Sequence, residues 1–497
     1  MYVIAVDQST SSTKVFLIDG QGEIVSRFSR EHRQFYPKPG YVEHDMEEVW
    51  QNVQEGVRTL TEDLPPKSVR ALAISNQRET TVFWDRQTGR PVCHAVVWQD
   101  VRGAELCESM QEHAKEVRQM TGLQLSPYYP AAKAASVLQS SPALRQMAEE
   151  GALCIGTVDS DLIYRLTGGA SFCTDVSNAS RTQLMNLSTL RWDNRLTKLF
   201  GIPMDCLPAI LPSDGAFGSV CVEGLPRLPI AGVMGDSHAA LFGQGCLKPG
   251  MAKGTYGTGS SVMMNVGSAP IFSENGLSSS VGFGFQGQIC YVLEGNVTCC
   301  GDTLCWLRDQ AEMLGDIQEA EVLANSVEST EGVYLVPAFS GLGAPYFDGT
   351  ARAILCGMNR GTTRAHIVRA ALESMAYQDA DILEGMQRDM GEPLQELRVD
   401  GGPTRNRLLM QWQATLLGCP VQRSGQSEFS ALGGGSMAGI QTGLYQGLAS
   451  IPQRRGERYL PTLPEKQRQA LMSGWREAVS RCRSTGAAQN GEQRILD

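Results

Sequence analysis

Two periods of apolar residues alternate along the chain, one suited to strands and one to helices. Tyr2–Val6 is a short apolar run that reads as a strand, Asp7–Thr13 as a polar turn, and Val15–Ile18 as a second strand ending at the turn pair Asp19-Gly20. A third strand is expected around Glu23–Arg27. In Glu47–Leu60, Val49, Val53, Val57 and Leu60 recur every three or four residues, which predicts an amphipathic helix. Val69–Ser75 is again strand-like, and the alternation runs to about residue 245. There Cys246-Leu247-Lys248-Pro249-Gly250 marks a break, giving expected domains over 1–245 and 246–497. The second half opens as the first does, with the apolar run Met251–Tyr256, the turn Gly257-Thr258-Gly259-Ser260-Ser261 and the apolar Val262-Met263-Met264. Duplication of one nucleotide-handling unit would explain the recurrence; so would the commonness of hairpins. Further on, Val368, Leu372, Met375, Ile382, Leu383 and Met386 predict a helix over Ile367–Gln387 behind the caps Thr362 and Thr363. Leu471, Trp475, Val479 and Cys482 form another helical stripe, and the polar tail after Arg483 is expected to fray.

Composition narrows the class. Of 497 residues, 42% are hydrophobic and 19% charged, which suits a folded chain and excludes a disordered one. A net charge of −10 without a basic tract argues against nucleic acid or an anionic membrane as partner. No apolar run reaches the ~18 residues of a membrane span. Met1–Asp7 enters a strand directly without a basic leader, so a cytoplasmic protein is expected. The 14 cysteines are scattered and include no Cys-x-x-Cys pair, which fits reduced thiols. The six histidines show no metal-binding spacing.

The turns carry the candidate chemistry. There is no Gly-Lys-Ser/Thr and no GxGxxG opening a helix, so any nucleotide is held without those motifs. Asp7 instead ends an apolar strand and is followed by Ser9, Thr10, Ser11, Ser12 and Lys14. Backbone N–H groups in a turn, hydroxyls and one lysine can cradle phosphate, and the carboxylate can hold a hydrated Mg²⁺. Gly257-Thr258-Gly259-Ser260 offers a second such turn. Val399-Asp400-Gly401-Gly402, ahead of Asn406, offers a third, where glycine lets a flat base approach the backbone.

Taken in order, a further series of motifs is highly specific. Asp7-Gln8-Ser9-Thr10-Ser11-Ser12, Asn76-Gln77-Arg78-Glu79-Thr80-Thr81 and Val97-Trp98-Gln99-Asp100 come first. Asp175–Thr182, Gly235-Asp236-Ser237-His238, Thr255-Tyr256-Gly257-Thr258-Gly259, Gly341–Tyr346 and Asp400-Gly401-Gly402 follow. The set resembles the FGGY carbohydrate kinases over nearly the whole chain, most closely their glycerol kinases. The resemblance implies an α/β protein of two actin-like (ribonuclease H-like) ATPase domains with the active site in the cleft between them. It implies ATP with Mg²⁺, a polyol or sugar acceptor, and no nucleic-acid or membrane partner; it leaves self-association open. Asp236 would be the catalytic base, and Asp7 and Asp236 would hold the metal. Ser11, Ser12, Lys14 and Thr258 would contact ATP phosphates, and Gly301, Gly402 and Asn406 the nucleoside. Arg78, Glu79, Trp98, Tyr128, Asp236 and Ser237 would form the acceptor pocket. A carboxylate that accepts and a guanidinium that donates suit a vicinal diol.

The chain departs from the glycerol kinases at four places. Ser237 stands where they usually carry Gln, Ser261 where they carry Phe, Cys305 where they carry Gln, and Ser9 where they carry Gly. The first two changes leave room for an acceptor larger than glycerol, such as a ketopentose or a four- to five-carbon polyol. A catalytically silent actin-like regulator is a further alternative, which the presence of Asp7, Asp236 and Thr258 disfavours.

Overall fold

The computed structural model describes residues 1–451 and 456–492, with side chains to Arg483. Two sheets dominate it. In the first, the strands Tyr2–Gln8, Ser12–Asp19 and Ile24–Glu31 form an antiparallel meander; Val69–Asn76 pairs parallel with the first of them, and Ile230–Gly235 parallel with Val69–Asn76. In the second, Met251–Tyr256, Ser260–Gly267 and Gln288–Val297 form the meander. Glu396–Gly401 and Val421–Arg423 then add in parallel beside Met251–Tyr256, as their counterparts do in the first sheet. Strand order and direction therefore repeat, which decides for duplication over a coincidence of hairpins.

The opening strand is apolar throughout because both faces of its sheet are covered. Ile4, Val6, Val15, Leu17, Leu72 and Ile74 pack against the helix Met46–Thr61, which Asp45 caps by accepting from the Glu47 N–H at 2.9 Å. The alternate residues Val3, Ala5, Phe16, Ile18, Ala71 and Ala73 pack against the helix Phe429–Gln441. That helix comes from the second half of the chain, so a simple cut at residue 245 leaves it on the far side from the sheet it covers. In the second half, the helix Arg364–Met390 buries the predicted stripe and is capped by Thr363 with His366. Trp475, Val479 and Cys482 are buried on the last helix, Glu465–Glu492. The helix runs nine residues past Arg483, where fraying was expected. Residues 493–497 lie outside the described residues. Among the described residues no helix is long and apolar enough to cross a membrane, and no disulfide forms.

The covering helix lies close against the helix Asp236–Gly243. A Cβ at Gly433 would stand 1.9 Å from the Ala239 carbonyl oxygen, so only glycine permits this approach. Gly433→Ala is expected to force the helices apart and to lower stability by about 1–3 kcal/mol, read as a shifted urea midpoint. An unchanged midpoint would mean that the helix pair is loosely packed.

Candidate active site

Parallel pairing brings three strand ends to one edge. Asp7 is in register with Ser75, and Gly235 with Asn76. Each strand therefore delivers its following loop to the same place, the usual position for a ligand site in an open sheet. Asp7 and Gln8 belong to the strand, so the turn is shorter than its polar pattern suggested. The Asp7 carboxylate accepts from Ser75 Oγ at 2.6 Å, and the Gln77 N–H donates to the Gln8 carbonyl at 2.7 Å. Asp236 begins its helix directly after its strand, its Oδ1 accepting from the Ser237 N–H at 2.6 Å.

A cavity of about 510 Å³ opens here, between the two sheets. Arg78, Glu79, Trp98, Tyr128, Asp236, Ser237, Thr258 and Ser261 all line it, so the expected acceptor residues and one phosphate-turn residue share one space. Trp98 donates its indole N–H to Thr10 Oγ1 at 2.9 Å and meets Tyr128 edge to face, 5.7 Å between ring centres. Burial pushes the Tyr128 phenol far up, so it stays a hydroxyl. Glu79 is held at φ +61°, a left-handed conformation uncommon for a residue with a side chain and often found at functional sites.

Charges link the cavity floor to both sheets. Arg78 donates from Nη1 and Nη2 to Glu294 at 2.9 and 2.7 Å, while its Nε lies 3.3 Å from Asp236 Oδ1. Arg181 lies between Glu294, 2.9 Å away, and Glu79, to which its Nε donates at 2.6 Å. Burial alone would push the Glu294 carboxyl up, but Arg181 and Arg78 hold it well below the usual range. Glu294 was not singled out by sequence, although a lone acid in Tyr291-Val292-Leu293-Glu294 is a signal for a buried partner. Arg181 lies within Asp175–Thr182, where local sequence does not reveal its distant partners. Glu294→Gln removes the one carboxylate shared by two buried guanidiniums. Breaking such a network costs about 3–5 kcal/mol, so a marked fall in Tm is expected; an unaltered Tm would show the network to be dispensable.

The remaining expected residues flank the cavity. Ser11 is exposed on the first hairpin, and Ser12 Oγ lies 3.1 Å from Ser9 Oγ. Lys14 is engaged: its Nζ donates to Glu428 Oε2 at 2.9 Å, across from the covering helix. In the second sheet, Tyr256 and Gly401 end adjacent parallel strands, and a Cβ at Gly401 would stand 1.9 Å from the Tyr256 carbonyl oxygen, so glycine is required there by packing. The Gly301 N–H donates to the Gly257 carbonyl at 2.9 Å, and a Cβ on Gly301 would lie 3.0 Å from Pro403 Cγ. Gly257, Gly301 and Gly402-Pro403 thus meet at one point. Open space stands where a Gly402 Cβ would be. Asn406 caps the helix Arg407–Leu417, accepting from the Leu409 N–H at 2.9 Å, so it has a structural role whatever else it does.

A magnesium ion suits Asp7 and Asp236. Burial pushes the Asp7 carboxyl up to about 6, and Asp236 adds to the rise while the Ser75 hydrogen bond opposes it. A cation would relieve both effects, and magnesium is commonly bound by one or two carboxylates plus phosphate oxygens. Among the described residues no cluster of three or more histidine, cysteine or acidic side chains forms a metal site.

Known proteins resemble this chain over nearly its full length. The chain is 44% identical to a glycerol kinase of Halorhodospira halophila over 99% of both chains. It is 45% identical to glycerol kinase 1 of Thermotoga maritima over 96% of this chain and 99% of that one. The solved glycerol kinase of Plasmodium falciparum with ADP superposes with a TM-score of 0.93 at 35% identity, covering 97% of this chain and 98% of that one. Residues 2–243 match the N-terminal domain of the FGGY family of carbohydrate kinases and residues 252–442 its C-terminal domain, so the chain belongs to that family.

Proposed function

We propose that this chain is an ATP-dependent kinase of glycerol or a related small polyol, acting in the cytoplasm. The observation that carries the reading is Asp236, which directly follows the parallel strand Ile230–Gly235 and lines the cavity that also holds Arg78, Glu79 and Trp98. On this reading the acceptor's carbon chain lies on Trp98, while Glu79 accepts from one hydroxyl and Arg78 and Tyr128 engage its neighbours. Asp236 takes the proton of the reacting hydroxyl as that oxygen bonds to the γ-phosphorus of ATP. The bond from that phosphorus to the β-phosphate bridging oxygen breaks, and ADP leaves with the electron pair.

Phosphates lie between the hairpins, against Ser11, Ser12, Lys14 and Thr258, and the nucleoside lies near Gly301, Gly402 and Asn406. Lys14 would exchange Glu428 for phosphate. Asp7 and Asp236 would hold magnesium, which would neutralise phosphate charge when bound. Residues 1–245 form the acceptor and phosphate domain and 246–497 the nucleotide domain, with the helix Phe429–Gln441 crossing back onto the first.

A coupled ADP-release assay tests the reading. ADP should appear when glycerol or another small polyol is added to enzyme and Mg-ATP, well above the rate with ATP alone. Acceptor-independent release would contradict it.

A further inference from the structure

The wall that the second sheet contributes to the cavity holds polar side chains that the phosphoryl-transfer reading leaves unused. Ser261, on Ser260–Gly267, and Asn296, on Gln288–Val297, are partners in antiparallel register. Their side chains therefore stand on the same face, with Cβ atoms about 4.5–5.5 Å apart. Both line the cavity together with Ser237. The neighbouring Ser260 points to the opposite face, where its Oγ donates to Asp379 at 3.1 Å. Ser261 Oγ has no such partner: it is shut off from solvent and makes no hydrogen bond. A buried hydroxyl left unpaired costs about 1–3 kcal/mol, so an orphan of this kind calls for an explanation. Rotation about χ1, an ordinary fast motion, would turn it into the cavity. Asn296 is exposed there, with a carboxamide that both donates and accepts.

A three-carbon triol has no hydroxyl to spare for this wall. One hydroxyl reacts at Asp236, and Glu79 with Arg78 and Tyr128 engages the other two. A ligand hydroxyl that donates to Asn296 Oδ1 and accepts from Ser261 Oγ–H would satisfy both side chains. Charge on the acceptor is disfavoured. Among the described residues Arg78 is the only cation lining the cavity, and Glu294 and Asp236 already engage it.

We propose that Ser237, Ser261 and Asn296 form a second hydroxyl-binding subsite, and that the preferred acceptor is an uncharged linear polyol of four or five carbons. The inference rests on the polyol-kinase reading and narrows its acceptor.

The test compares kcat/KM for glycerol, erythritol, threitol, ribitol and xylitol in the native enzyme and in three variants. A tetritol or pentitol should exceed glycerol by at least about 10-fold. Asn296→Ala and Ser261→Ala should each reduce that ratio several-fold, and Ser261→Phe should reduce it by roughly 10- to 200-fold by filling the wall. Asn296 is exposed, so its variant should fold even if Ser261→Phe does not. Glycerol as the best acceptor, with a ratio unmoved by Asn296→Ala, would overturn this inference while leaving the kinase reading intact. Phosphorylation of none of the polyols would overturn both.

Discussion

Asp236→Asn should lower kcat at least about 10²-fold, the usual scale of general-base catalysis, with little change in nucleotide affinity. An alcohol oxygen is a poor nucleophile while it keeps its proton, and an amide cannot remove it. Asp236 is well placed for the task. It is half-exposed to the cavity, while Arg78 Nε at 3.3 Å and the Ser237 N–H at 2.6 Å orient one carboxylate oxygen. Asparagine keeps the shape and one acceptor, so the helix it begins should persist. Pre-steady-state turnover at saturating acceptor, with ADP binding followed separately, would check this. Near-native kcat in the variant would remove Asp236 from the chemistry.

Asp7→Asn should separate stability from function. The Asp7 carboxylate is buried beside Asp236, and burial is the main reason its ionised form is disfavoured. A neutral amide avoids that penalty and can still accept from Ser75, so the Tm of the unliganded protein should rise. Mg-ATP use should suffer. A metal contribution of several kcal/mol corresponds to a fall of about 10²- to 10³-fold in kcat/KM for Mg-ATP, and the Tm increase that Mg-ATP confers should shrink. Thermal scans with and without Mg-ATP, paired with initial rates, read both effects. Native rates in the variant would place the metal elsewhere.

Much of the site could be read from the sequence because its residues cluster in short runs. Arg78 and Glu79 are adjacent, and Asp236 and Ser237 follow a strand, so local chemistry and local structure point the same way. The two helices with clean stripes, Met46–Thr61 and Arg364–Met390, were legible for the same reason. What escaped depends on distant register. Glu294 meets Arg78 and Arg181 only because strands far apart in sequence close on each other. Lys14 looked free for phosphate because nothing near it foretells Glu428, 414 residues away. The helix Phe429–Gln441 carries small and apolar residues all round, so it shows no stripe to indicate which domain it covers. Duplication became visible only when parallel partners were seen to add to both hairpins in the same order.

On the proposed reading, this chain moves the γ-phosphoryl group of ATP onto a polyol hydroxyl at the cavity holding Asp236. Phosphorus NMR of a reaction containing enzyme, Mg-ATP and a mixture of glycerol and tetritols follows that group directly. A growing phosphomonoester resonance coupled to the acceptor's CH₂ or CH protons is expected, matched by ADP and absent without polyol. Inorganic phosphate as the sole product, or ATP left intact with every polyol, would contradict it.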